Sequence, residues 1–183
     1  MTHLTEYVLP AAELTQEAFR SRFPDPVLLS RGDETPSESD WRFRTQTISI
    51  VSAAMGRKLA EQGVSLSRDV AGYRVYPLVK TQNNPWRERI SVGRARNNDI
   101  ALLDSSVSKL HAHIHMSASA PPLLQDSGSR NGTMINGKKL HGDEKLPLTS
   151  GDKIVIGRVE LVYLDAGGLF DFLVKHLERT GRA

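Results

Sequence analysis

From Tyr73 onward, short β-type segments recur at close intervals between turn residues: YRVYPLVK, RISVGR, DIALLD, HAHIHM, LLQDS, TMING, KIVIG and VELVYLD. Regular short strands separated by turns predict a β-sandwich or barrel. Asn136-Gly137, between Thr133-Met-Ile and Lys138-Lys-Leu, predicts a two-residue hairpin, because both turn positions tolerate positive φ. Gly151-Asp152 hands over to the apolar run Lys153-Ile-Val-Ile in a similar way. The end, GGLFDFLVKHLERTGRA, places Leu169, Phe172, Leu173 and Leu177 on one helical face, widened by Phe170 and Val174. A terminal helix docked on the β-domain is therefore expected.

The first 70 residues read differently. A short helix-compatible stretch runs from Ala11 to Phe19, followed by Pro24, Pro26 and the polar run RGDETPSESD at 31–40, a loop or linker. Trp41 to Ile50 alternates like a strand, and Ala53 to Gln62 carries helix formers before Gly63. The expected division is an α+β or partly irregular N-terminal extension at 1–70, a β-domain at 71–166 and a C-terminal helix at 167–183.

Several function classes fall away on residue content. With no cysteine there are no disulfides, no Cys-ligated zinc and no thiol nucleophile. The apolar runs around Ile48 to Met55 and Ile154 to Leu164 are far short of the roughly 20 residues needed to cross a bilayer. Acidic residues and Pro10 replace the basic cluster and apolar core of a signal peptide, so a cytoplasmic location and no membrane partner are expected. Against 21 acidic residues, 24 Lys and Arg leave a net charge of only +3, with no arginine-rich or aromatic-basic stripe, so no nucleic-acid partner is expected. There is no P-loop, nucleophile elbow or paired metal motif, and no enzyme activity and no cofactor are expected.

Three loop elements concentrate polar and basic residues: Gly93-Arg94, Ser108-Lys-Leu-His111 and Ser129-Arg-Asn-Gly-Thr133. Their order and spacing, with the intervening Asn-Asp-Ile and Ser-Val-Ser-Lys-x-His-Ala and the following Asn-Gly hairpin, resemble the forkhead-associated (FHA) family over about residues 73–164. The resemblance implies an eleven-stranded β-sandwich that binds phosphothreonine peptides on loops at one end. It implies that Arg94 and Ser108 bind phosphate oxygens beside Lys109, that Asn131 holds the ligand main chain and that Arg130 adds a contact. Gly93 and Gly132 are then structural, as are Asn136 and Gly137, and His111 braces the loops. The loop Ser105, Ser106, Val107 would face the third residue after the phosphothreonine, where Ser106 makes a strict acidic preference unexpected.

The residue chemistry agrees with that implication. A phosphorylated side chain carries about −1.5 to −2 charges and three acceptor oxygens, so it calls for a guanidinium, a hydroxyl and a second cation. Arg94, Ser108 and Lys109 supply that set. The alternating run His111-Ala-His113-Ile-His115 puts three imidazoles on one strand, which zinc could use, but Ala112 and Ile114 claim the core face, so no metal is expected.

The function expected is a phosphothreonine-recognition adaptor in Ser/Thr kinase signalling, with a Thr-phosphorylated partner such as a kinase or its substrate. The alternative is a phospho-independent assembly module using the sandwich surface and the terminal helix. Thr35, in the acidic Pro-containing run, is a further candidate for phosphorylation, against the plainer reading of an unmodified linker.

Overall fold

The computed structural model describes residues 2–31, 64–66 and 73–179, apart from 83, 85 and 87. The strand expected at Trp41 to Ile50, the helix at Ala53 to Gln62 and Thr35 lie outside the described residues. In chain order the elements are β1 (Thr2–His3), α1 (Thr5–Glu13), α2 (Gln16–Arg22), β2 (Val27–Arg31), β3 (Val64–Leu66), β4 (Tyr73–Pro77), β5 (Arg89–Gly93) and β6 (Ile100–Ala101). There follow β7 (Ala112–His115), β8 (Leu123–Asp126), β9 (Thr133–Ile135), β10 (Lys138–Lys139), β11 (Lys145–Pro147), β12 (Lys153–Ile156), β13 (Val159–Leu164), α3 (Ala166–His176) and β14 (Leu177–Arg179).

The period-two segments stack as two sheets, a seven-stranded one in the order β1-β4-β2-β13-β12-β9-β10 and a five-stranded one in the order β11-β8-β7-β5-β6. Neighbours are antiparallel except β5 and β6, which run parallel. Between the sheets, Leu28, Ile154, Ile156 and Leu161 meet Val92, Ile114 and Leu124 in one buried cluster. The protein is mainly β, a β-sandwich with a C-terminal helix, as its patterning predicts. At the Asn136-Gly137 turn, both φ angles are positive, +50° and +82°.

A second cluster occupies the opposite face of the larger sheet. Val8, Phe19, Leu169 and Leu173 from α1, α2 and α3 pack on Val27, Leu29 and Val75. Because both faces of that sheet are covered, β2 buries four consecutive residues, Val27 to Ser30, instead of alternating. Each such apolar side chain contributes about 1.5–3 kcal/mol by leaving water.

Three details differ from the sequence reading. The single stretch Ala11 to Phe19 is two helices: Leu14 N–H bonds back to Pro10 to end the first, and the Thr15 hydroxyl accepts from Ala18 N–H at 3.3 Å to start the second. The segment before residue 71 is not only an extension, since β2 lies inside the large sheet, paired with β13 on one side and β4 on the other. The terminal helix docks through Leu169 and Leu173, but Val174 is exposed and Leu177 leaves the helix to pair with Leu66. Among the described residues, no helix is long and apolar enough to cross a membrane.

Candidate functional site

The site begins where β5 runs out at Gly93. A Cβ there would overlap the Lys109 carbonyl oxygen and lie 2.9 Å from Leu110 Cα, so glycine is what lets the two loops touch. Arg94 N–H donates to the Ser108 carbonyl at 2.8 Å and Ala95 N–H to the Lys109 carbonyl at 3.1 Å. Arg94 Nε also donates to the Val107 carbonyl at 3.2 Å. From beneath, the buried Asn98 amide donates to the carbonyls of Ala95 at 2.8 Å and Lys109 at 2.7 Å.

The third loop joins through Ser108, whose Oγ accepts from Arg130 N–H at 3.1 Å. Ser108 N–H donates to His111 Nδ1 at 3.0 Å, and the other ring nitrogen lies 3.1 Å from the Gly132 carbonyl. An Nδ1 that accepts places the ring proton on Nε2, which then donates to Gly132; His111 thus bridges two loops from a fully buried position. Behind Gly132, the Ser129 hydroxyl accepts from Gly132 N–H at 2.9 Å and donates to Asp126 at 2.6 Å. Asp126 also accepts from the Thr133 hydroxyl at 2.7 Å. Burial pushes the Asp126 carboxyl up, but the hydrogen bonds from Ser129 and Thr133, with His111 nearby, outweigh it and hold it below the usual carboxylate range.

The structure therefore brings Arg94, Ser108, Lys109, Arg130 and Asn131 to one end of the sandwich. Arg94, Lys109 and Arg130 are exposed, Ser108 is half-buried, and among the described residues none of the three cations is in an ion pair. Asn131 is exposed, and its amide nitrogen donates to the Ser106 carbonyl at 2.6 Å.

The loop 105–107 is arranged differently from a reading surface. Val107 is in the core, and Ser106 is 8% exposed with its hydroxyl donating to Asp104 and accepting from Arg158 N–H at 2.9 Å. Only Ser105 of the three is exposed. The Ser106 hydroxyl, its N–H and the nearby Arg158 keep the Asp104 carboxyl low, against a smaller opposing effect of burial.

Sequence reasoning missed Asn98, Asp126, Lys139 and Arg158. Asp126 stands three residues before Ser129, the spacing of a side-chain-capped turn, and that signal was there to be read. Lys139 had none: its Cε lies 2.8 Å from where a Gly132 Cβ would be, so the side chain crosses the Asn131-Gly132 turn only through the hairpin. Asn136 and Gly137 shape that hairpin, and the Asn136 amide bonds Asp152 at 2.8 Å and Lys153 N–H at 2.9 Å.

His113 and His115 are half-buried on the outer face of the smaller sheet, with partners of their own. His113 Nδ1 lies 2.8 Å from Ser127 Oγ and His115 Nε2 lies 2.7 Å from Gln125 Oε1. Burial and neighbouring cations lower both imidazoles. Among the described residues there is no group of three His, Asp or Glu arranged to hold a metal.

Residues 90–157 match the family model of the FHA domain. An FHA domain-containing protein of Arabidopsis thaliana is 36% identical over 94 residues, covering 51% of this chain and 24% of that protein. The glycogen accumulation regulator GarA of Mycolicibacterium smegmatis is 35% identical over 74 residues, covering 40% of this chain and 44% of its own length. The chain thus spans less than half the length of these two relatives. Among solved structures, a domain from work on phosphothreonine-dependent FHA interactions has 28% identity and a TM-score of 0.43, covering 55% of this chain and 92% of that one.

Proposed function

We propose that this chain, whose residues 90–157 match the family model of the FHA domain, is a non-catalytic adaptor that recognises a phosphothreonine segment of a partner protein in Ser/Thr kinase signalling. The observation that carries this reading is the convergence on Ser108. Arg94 is bonded to its carbonyl and Arg130 to its hydroxyl, while the side chains of Arg94, Lys109 and Arg130 stay exposed.

Three cations and a hydroxyl on loops held by hydrogen bonds from the buried Asn98 and His111 suit a dianion with three acceptor oxygens. In this reading Arg94 and Ser108 bind phosphate oxygens, Lys109 and Arg130 add positive charge, and the Asn131 amide holds the peptide main chain. All of these are binding groups. The assembly reading has less to work with, because α3 spends Leu169 and Leu173 on the sheet.

The test is binding of a phosphothreonine peptide library by the wild type and Arg94→Ala. One charge-assisted contact is worth about 1.5–3 kcal/mol, so Arg94→Ala weakens binding by roughly ten- to hundredfold. Equal binding of phosphorylated and unphosphorylated peptides, or no effect of Arg94→Ala, refutes the proposal.

A further inference from the structure

With Ser106 and Val107 turned inward, the loop expected to read residues beside the phosphothreonine offers little chemistry of its own. An exposed cation stands there instead, supplied from the turn between β12 and β13. Arg158 N–H is fixed on Ser106 Oγ at 2.9 Å, and its side chain is 74% exposed.

The preceding Gly157 explains the approach. It has a left-handed φ of +65°, and a Cβ on it would lie 2.7 Å from the Ser106 carbonyl oxygen, so this turn presses directly on the loop. Gly157 N–H also donates to the Gly132 carbonyl at 3.2 Å, fixing the turn against the neighbour of Asn131. The guanidinium lies 3.9 Å from Asp104, whose carboxylate already accepts from Ser106 N–H at 2.7 Å and from the Ser106 hydroxyl. Such a long, exposed pair contributes little and leaves most of the five guanidinium donors for another acceptor.

These bonds order the rim. Arg130 N–H is on Ser108 Oγ, Asn131 Nδ2 is on the Ser106 carbonyl, and Arg158 N–H is on the Ser106 hydroxyl. A peptide whose phosphate sits at Ser108 and whose backbone crosses Asn131 next passes Arg158. An extended chain advances about 3.3 Å per residue, so a side chain roughly two to four residues from the phosphothreonine meets the guanidinium.

We propose that Arg158 is a specificity-determining residue that selects phosphothreonine peptides carrying an Asp or Glu at that distance on one side. The inference rests on the phosphothreonine reading of the site. It reverses the expectation drawn from Ser106, because the acid-reading cation comes from another loop.

The experiment uses the full chain and synthetic phosphothreonine peptides in an alanine background, with one Glu moved through the flanking positions, measured by fluorescence anisotropy. In the wild type, Glu at one position or two adjacent ones tightens binding by about two- to fivefold, and added salt erases the gain. In Arg158→Ala the Glu series becomes flat, and in Arg158→Glu the same position prefers Lys. An unchanged Glu preference in Arg158→Ala overturns the inference, as does a flat wild-type series in which binding still depends on Arg94. Failure of every peptide to bind in an Arg94-dependent way overturns the phosphothreonine reading itself, and the role of Arg158 with it.

Discussion

Asp99 is the residue whose replacement tests the support behind the binding loops most directly. Its side chain has no exposed surface, and Lys80 Nζ lies 3.8 Å away. One carboxylate oxygen accepts the N–H and hydroxyl of Thr81, both at 2.8 Å. The other accepts Ser91 N–H at 2.7 Å, the Ser91 hydroxyl at 2.9 Å and the Asn84 amide. Five donors thus converge on two oxygens and tie the irregular chain after β4 to β5, just behind Arg94.

Burial alone pushes this carboxyl up, but the hydrogen bonds from Asn84, Ser91 and Thr81 outweigh it and bring it down to about 2 from 3.8. At about 1.4 kcal/mol per tenfold change in proton affinity, that difference favours the charged native form by about 2 kcal/mol. Since the folded value lies below the unfolded one, the stabilisation is complete above pH 4 and is lost as the pH falls towards 2. In Asp99→Asn, one acceptor oxygen becomes an NH2 group facing donors, and at least two of them lose their partner. Each orphaned buried donor costs about 1–3 kcal/mol, so the total is about 3–5 kcal/mol at neutral pH. Urea unfolding followed by circular dichroism from pH 7 down to pH 2 should show the wild-type advantage constant to about pH 4 and shrinking below it. A difference under about 1 kcal/mol at pH 7, or one that does not shrink in acid, refutes the reasoning.

Two further outcomes are expected. Gly93→Ala drives a methyl into the Lys109 backbone, which cannot rotate away, so thermal unfolding should show a loss of about 3 kcal/mol or more; a loss below about 1 kcal/mol would mean that the loops separate easily. A chain beginning at residue 71 lacks β2 and the buried Val27, Leu28 and Leu29, which contribute about 1.5–3 kcal/mol each, and should show no cooperative unfolding transition; a sharp transition would mean that the sheet closes without β2.

The sheets were legible because they depend on local signals. Alternation at Ala112 to His115 and positive φ at Asn136-Gly137 need no knowledge of the rest of the chain. Strand β2 was not legible, since Val-Leu-Leu-Ser has no period of two when helices cover its second face. The five residues proposed to bind could be named from their likeness to a family pattern, whereas Arg158 and Lys139 come to that end of the sandwich only through hairpins that fold back over it. Ser106 illustrates the opposite failure: the sequence places it in the right loop but cannot show that its hydroxyl is already used by Asp104 and Arg158.

The bonds beneath the loops bear on how strongly such a site can bind. Five donors meet at Asp99 and three at Asp126, while His111 accepts from Ser108 and donates to Gly132, so the loop conformations are fixed before a ligand arrives. Ordering a flexible polar loop on binding costs about 0.5–1.5 kcal/mol for each immobilised long side chain, in addition to its backbone. Here the backbone cost is met during folding, and only the exposed side chains of Arg94, Lys109, Arg130 and Arg158 remain to be ordered. Those same four cations keep their water until a ligand displaces it, so affinity depends on how many of them one ligand engages at once. On the proposed reading, a phosphate alone reaches the cluster around Ser108, and a carboxylate further along the peptide is what brings in Arg158.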